Sequence, residues 1–106
     1  MVADSEIRVV LVDDHDILRD ALKNSLQASS NIKVIAEARN SAECWEVLSR
    51  QVPDVVVLDL SLPGRGGGDV LLGLKQRYPE IKVLVLSAHQ EDEYAIKLIR
   101  LGATGY

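Results

Sequence analysis

One acidic residue directly follows the most apolar short segment of the chain, and this combination limits the folds that the sequence can adopt. Residues 55–58 are Val-Val-Val-Leu, and Asp59 comes next. Three β-branched residues in an uninterrupted apolar run predict a parallel strand buried on both faces, because a half-exposed strand would alternate apolar and polar side chains. A carboxylate at the end of a buried strand costs free energy unless it is solvated, paired or used. Asp59 is therefore a candidate functional residue.

Short apolar runs and amphipathic segments alternate along the rest of the chain. Runs at 7–12, 33–38 and 81–86 predict strands, and residues 103–106 predict the start of a fifth. Helical periodicity predicts helices at 17–28, 42–50, 69–78 and 91–101, with N-caps at Asp16 and within the pair Asn40-Ser41. The more polar run at 33–38 is expected at an edge. This alternation predicts one α/β domain: a flavodoxin-like, doubly wound parallel sheet of order 2-1-3-4, with any fifth strand beyond the fourth.

That strand order brings acidic residues from two neighbouring strands together. The first and third strands meet at the topological switch point, where open α/β sheets bind ligands. Asp13 and Asp14 would face Asp59 there, with Ser87 at the end of the next strand. Three clustered carboxylates call for a cation, and oxygen ligands suit Mg²⁺, with which Asp59 could form an aspartyl phosphate and Ser87 could hold a phosphate oxygen. The alternative is that the three acids are only solvated residues at strand ends and helix caps.

Composition narrows the function classes. The 106 residues carry a net charge of −4, which disfavours nonspecific binding to nucleic acid. No apolar run is long enough to span a bilayer, and the acidic start of the chain does not match a signal peptide. The single cysteine, Cys44, excludes an internal disulfide bond. We therefore expect a cytoplasmic domain that contacts no membrane.

Four segments carry a resemblance to a known family. They are LVDDHDILR at 11–19, PDVVVLDLSLPG at 53–64, VLVLSA at 83–88 and LGATGY at 101–106. In order and spacing they resemble the receiver domain of two-component response regulators, and the resemblance covers essentially the whole chain. The first two segments are most similar to receivers that precede a LuxR/NarL-type helix-turn-helix domain.

The resemblance implies a phosphorylation-dependent signalling function with Asp59 as the phosphoacceptor. Asp14, Asp59 and the backbone carbonyl of Ser61 would bind Mg²⁺ directly, and Asp13 would contact the ion through water. Such a domain is a phosphoacceptor that assists its own phosphotransfer and dephosphorylation, and it is not an enzyme in the ordinary sense. The phosphodonor would be a sensor histidine kinase, docking on the first helix near Ile17 and Leu18.

The resemblance also implies a switch. Ser87 would be the switch hydroxyl that moves toward the phosphoryl group, and Tyr106 the switch aromatic that turns inward behind it. The loop after Ser87 and the helix at 91–101 would be the element whose position changes.

The sequence departs from the family pattern after Tyr106. Receivers carry a lysine about three residues beyond that position and then a fifth helix, and neither is in these 106 residues. We therefore expect residues 1–106 to be a receiver domain that is incomplete at its C-terminus. Any DNA binding would belong to an absent C-terminal domain, and the piece could associate as a homodimer or by domain swapping.

Other functions stay open at this point. A stand-alone receiver module would have the same sequence features. An aspartate-nucleophile phosphatase of the haloacid dehalogenase type would need a second acid two residues after Asp59, where the chain has Ser61. A flavodoxin-like nucleotide binder is disfavoured because the glycine-rich residues 64–68 complete neither a P-loop nor GxGxxG.

Overall fold

Strands and helices alternate along the chain in the computed structural model, which describes residues 6–59 and 66–86. The strands are β1 (Ile7–Val12), β2 (Ile32–Ala38), β3 (Val55–Asp59) and β4 (Lys82–Leu86). The helices are α1 (Asp16–Gln27), α2 (Ser41–Arg50) and α3 (Gly66–Arg77). All paired strands are parallel, in the order β2-β1-β3-β4, which confirms the predicted α/β sheet. The predicted helix at 91–101 and the start of a fifth strand lie outside the described residues.

The two central strands, β1 and β3, carry the uninterrupted apolar runs. Val10, Val12, Val56 and Leu58 are completely buried. β2 lies at one edge of the described sheet, as its more polar sequence predicted, and most of its side chains are only partly buried. The continuous apolar pattern of β3 is therefore explained by helices on both faces of the sheet.

Helices cover the two faces unequally. On one face α2 and α3 pack against the sheet and form the larger core, which includes Cys44, Leu48 and Leu74. On the other face Leu22 and Leu26 of α1 pack against a smaller buried set, Val9, Leu11 and Val57. Burial raises the pKa of the Cys44 thiol to about 11, in accord with a packing residue rather than a nucleophile.

The three described helices begin before the predicted residue, α1 and α2 by one residue and α3 by three. The N-cap of α1 is His15, not Asp16, because the Asp13 side chain accepts a hydrogen bond from the His15 backbone N–H and turns the chain one residue earlier. Helix α3 begins at Gly66 instead of at residue 69. Glycine disfavours helix by about 1 kcal/mol per residue, so the local sequence predicts a loop there; packing of Val70, Leu71 and Leu74 outweighs that preference.

Of the pair Asn40-Ser41 predicted to cap α2, Asn40 is the N-cap and Ser41 is the first helical residue. The Asn40 side chain accepts a hydrogen bond of 2.8 Å from the Glu43 backbone N–H, and the Glu43 carboxylate accepts one of 2.8 Å from the Arg39 backbone N–H. This reciprocal pair satisfies two donors at the start of the helix.

Candidate functional site

Two buried carboxylates stand side by side where β1 and β3 end. Val12 pairs with Leu58 across these strands, so the residues that follow, Asp13 and Asp59, lie next to each other. Asp13 is 2% exposed and Asp59 is 5% exposed, and they are the buried charged residues of the described chain. Asp14, the next residue after Asp13, is partly exposed at the rim. The structure thus brings together the three acids that the strand order predicted to meet.

His15 joins this cluster, although sequence reasoning did not single it out. Its ring nitrogen Nδ1 lies 3.1 Å from Asp13 Oδ1, 3.1 Å from Asp14 Oδ1 and 3.4 Å from Asp59 Oδ2. One ligand atom from each of the four residues falls within 4.8 Å of the others. The signal that could have identified His15 is its position directly after the paired acids.

The electrostatics of the cluster favour an added positive charge. Burial raises the pKa of Asp13, and the neighbouring Asp59 raises it further. The hydrogen bond to Asp13 and the charge of Asp14 raise the pKa of His15. The contributions of neighbouring carboxylates to both pKa shifts indicate an excess of negative charge in this cluster.

The donor set fits a divalent cation. The buried oxygens Asp13 Oδ2 and Asp14 Oδ1 accept no hydrogen bond from any described residue. Buried oxygens without a donor are costly unless a cation or water serves them, and carboxylate oxygens are preferred ligands of Mg²⁺. The acidic cluster could therefore hold a metal ion.

Arg19 of α1 supports the turn that carries the acids. Its Nη1 donates a 2.8 Å hydrogen bond to the Asp13 backbone carbonyl, and its Nε donates one of 2.8 Å to Glu37 of β2. Nη2 donates to Asp16 at 2.7 Å, so all three nitrogens are engaged. The side chain is only 11% exposed. The guanidinium thus joins the end of β1 to α1 and β2.

A groove lies at the other end of the strands, where they begin, and it contains no cluster of metal-ligating groups among the described residues. A groove of about 520 Å³ lies at the amino ends of the strands, between Pro53 and Ile81. Its Asp54 carboxylate is already engaged, since it accepts a 2.8 Å hydrogen bond from the Arg8 backbone N–H. Within residues 6–59 and 66–86, the cluster of metal-ligating groups lies at the carboxyl ends of β1 and β3, at Asp59.

Comparison with known proteins identifies the family. Residues 9–106 match the response regulator receiver domain. The chain belongs to this family. Transcriptional regulatory protein DegU of Brevibacillus brevis is 33% identical to this receiver over 105 residues, which cover 99% of the chain and 44% of DegU. DNA-binding transcriptional activator DevR/DosR of Mycobacterium tuberculosis is 36% identical, over 94% of the chain and 46% of that protein.

Solved structures agree with this receiver in fold. A two-component response regulator of the LuxR family from Aurantimonas sp. SI85-9A1 superposes with a TM-score of 0.90 at 34% identity, covering 96% of this chain and 73% of that one. The chain spans less than half the length of the two transcriptional regulators compared above. The chain is therefore similar to the receiver portion of longer regulators.

Three residues with roles implied by the resemblance, Ser61, Ser87 and Tyr106, lie outside the part of this receiver that the structure describes. In the described part, no helix has the length and apolar character that crossing a membrane requires.

Proposed function

We propose that this receiver takes a phosphoryl group from a sensor histidine kinase onto Asp59, with Mg²⁺ held by Asp13, Asp14 and Asp59. The observation that carries the proposal is the meeting of these three carboxylates at the carboxyl ends of β1 and β3. A structural role alone would not account for buried Asp13 Oδ2, which lacks a hydrogen-bond donor.

The chemistry follows from the carboxylates. Mg²⁺, when bound, would neutralise their charge and that of the incoming phosphoryl oxygens. A carboxylate oxygen of Asp59 attacks phosphorus, the new O–P bond forms, and the P–N bond of the kinase phosphohistidine breaks with its electron pair left on the imidazole. Asp14 and the Ser61 carbonyl complete the proposed ligand set, with Asp13 acting through water. In this mechanism the chain is a phosphoacceptor that assists its own phosphotransfer and dephosphorylation.

The switch belongs to the same proposal. Leu86 pairs with Asp59 across β3 and β4, so Ser87 is the residue that follows the partner of the phosphoacceptor. This register supports Ser87 as the switch hydroxyl, with Tyr106 as the switch aromatic. A phosphoryl group adds about −1.5 to −2 charge and three acceptor oxygens, enough to bias a two-state element near the site.

Exposed apolar side chains beside the acids support the kinase as a partner. Ile17 is 88% exposed in the first turn of α1, and Leu18 next to it is exposed as well. The kinase would dock there, within reach of Asp59.

The names of the relatives support a place in transcription. We infer that residues 1–106 are the receiver of a cytoplasmic transcriptional regulator, because the regulators compared above are more than twice as long as the matched region. DNA binding and any homodimer or domain-swapped association would then depend on the rest of such a protein. A stand-alone receiver module is the alternative.

Calorimetric titration with Mg²⁺, followed by beryllofluoride, tests this function in the wild-type chain and in Asp59→Asn. We expect wild-type binding that Asp59→Asn weakens at least about tenfold, a loss typical for a metal-site residue. Fluorine NMR should then show bound beryllofluoride in the wild type alone. Absence of Mg²⁺ binding in the wild type would contradict the proposal.

A further inference from the structure

We propose that His15 is a nitrogen ligand of the cation site, so that this receiver binds Co²⁺ and Zn²⁺ more tightly than a site built from oxygen alone. The proposal rests on the proposed function in one respect, namely that the acidic cluster holds a divalent cation. It adds a ligand and a metal preference that three carboxylates do not supply.

The distances around His15 match those within a coordination shell. Ligands about 2.1 Å from a shared ion are separated by about 3.0 Å in octahedral geometry and about 3.4 Å in tetrahedral geometry. His15 Nδ1 lies 3.1 Å from Asp13 Oδ1, 3.1 Å from Asp14 Oδ1 and 3.4 Å from Asp59 Oδ2. Nδ1 thus lies at ligand-to-ligand spacing from one oxygen of each of the three carboxylates, and the four atoms all lie within 4.8 Å of one another.

Hydrogen bonding from the imidazole does not satisfy the cluster. A ring nitrogen carries at most one proton, and three oxygens surround this one at similar distances. Asp14 Oδ1 accepts no hydrogen bond although His15 Nδ1 is 3.1 Å away. Asp13 Oδ2 is also without a donor, on a residue that is 2% exposed. A cation bound by Nδ1 would serve Asp14 Oδ1, and Asp13 Oδ2 is a second acceptor available to that ion or to its bound water.

The backbone of His15 is held in place on both sides. Its N–H donates a 2.8 Å hydrogen bond to Asp13 Oδ1, and its carbonyl accepts the first helical hydrogen bond of α1, 2.9 Å from the Arg19 backbone nitrogen. The ring itself is 60% exposed, which leaves a path for an ion from solvent. When Nδ1 binds the ion, the neutral ring carries its proton on Nε2.

An imidazole ligand changes which ions the site favours. Imidazole suits late first-row ions such as Co²⁺ and Zn²⁺, whereas Mg²⁺ prefers oxygen. Removal of the His15 ring should therefore weaken Co²⁺ binding much more than Mg²⁺ binding. Equal changes for both ions would instead indicate a general electrostatic effect.

The test uses the full chain without a polyhistidine tag, in four forms. These are the wild type, His15→Gln, the matched variant of the chain's other histidine, His89→Gln, and Asp59→Asn. Each is titrated calorimetrically with Co²⁺ and with Mg²⁺, and circular dichroism verifies that each is folded. Proton NMR of the Co²⁺ form detects a paramagnetically shifted, exchangeable imidazole N–H when a histidine is bound.

We expect His15→Gln to lose at least about tenfold in Co²⁺ affinity, as for other metal-site substitutions, and less than about twofold in Mg²⁺ affinity. The shifted imidazole proton should be present in the wild type and in His89→Gln, and absent from His15→Gln. The proposal is overturned if that proton persists in His15→Gln, if it disappears in His89→Gln alone, or if the two affinities fall in parallel. If both ions bind without the shifted proton, only the role of His15 fails. If neither ion binds the wild type, the proposed function fails as well.

Discussion

The indole ring of Trp45 packs so closely against Gly73 that a Cβ at position 73 would lie 2.7 Å from Cη2 and 2.8 Å from Cζ2 of the ring. This contact joins α2 to α3. The guanidinium of Arg77, one helical turn beyond Gly73, lies 4.9 Å from the centre of the same ring, within the range of a cation–π interaction. The missing side chain at position 73 therefore sets how closely the two helices can approach.

Gly73→Ala is expected to destabilise the chain by about 1–3 kcal/mol, because the added methyl group must displace a large aromatic ring. Gly68→Ala, on the same helix, is the matched control: a Cβ there has nothing within 4 Å. That change should leave stability equal or raise it by less than about 1 kcal/mol, since alanine favours helix. Urea unfolding followed by Trp45 fluorescence measures both. Equal effects of the two substitutions would show that the Trp45 contact does not limit position 73.

Arg19→Met should reduce stability by about 1–3 kcal/mol and weaken divalent-ion binding. The change keeps an apolar stem but leaves the Asp13 carbonyl and the Glu37 carboxylate without their 2.8 Å donor. Lys23→Met is the control, because Lys23 contacts the same Glu37 at 3.4 Å from a position that is 40% exposed. A partly exposed ion pair of that kind contributes less than about 1 kcal/mol. Urea unfolding measures the stability of both variants, and calorimetry measures their affinity for Mg²⁺. Equal losses in Arg19→Met and Lys23→Met would contradict a positioning role for Arg19.

The sheet and its acidic edge could be predicted from the sequence for a physical reason. An uninterrupted apolar run, such as residues 55–58 of β3, must be covered on both faces. A parallel sheet with helices on each side supplies that cover. Once the order β2-β1-β3-β4 is assumed, Asp13 and Asp59 must end neighbouring strands. The meeting of the acids is thus a consequence of topology.

The remaining features depend on contacts that a linear pattern does not contain. The leucines of α1 differ in burial: Leu22 and Leu26 pack on the sheet, but Leu18 is exposed. The position of His15 depends on the turn that the Asp13 side chain fixes. The approach of Trp45 to Gly73 depends on how α2 and α3 lie against each other. Tertiary packing decides each of these, and local propensity does not.

The stability of the metal-free chain should depend on the charge of Asp13. Burial and Asp59 raise the pKa of Asp13 above the ordinary value of 3.8, so the folded state binds this proton more tightly than the unfolded state does. The ionised carboxylate therefore costs stability above the raised pKa, and that cost disappears as the pH falls toward 3.8. Asp13→Asn keeps the oxygen that accepts from His15 and removes the charge, so it should be more stable than the wild type at pH 7.

The stability advantage of Asp13→Asn should shrink as the pH falls from 7 toward the ordinary aspartate pKa. Urea unfolding of both chains across that interval, with chelator present, measures the difference and cancels the effects of acids that do not interact with Asp13. Saturating Mg²⁺ at pH 7 should reverse the order, because the ion binds more tightly to the chain that keeps all three carboxylates and so stabilises it more. A difference that stays constant with pH would show that Asp13 has the same proton affinity in both states.

Ile17 is expected to matter for kinase docking and not for folding. Its side chain is 88% exposed, so Ile17→Ser should change stability by less than about 0.5 kcal/mol. Phosphotransfer from a sensor kinase that phosphorylates the wild type should slow about tenfold, as expected for an apolar anchor worth over 1 kcal/mol. Val52→Ser is the control, because Val52 is an exposed apolar residue near the amino ends of the strands, away from the acidic cluster. Phosphorylation by acetyl phosphate, which needs no docking surface, should be unchanged in both variants; slowing of that reaction by Ile17→Ser would place its effect in the site and not in docking.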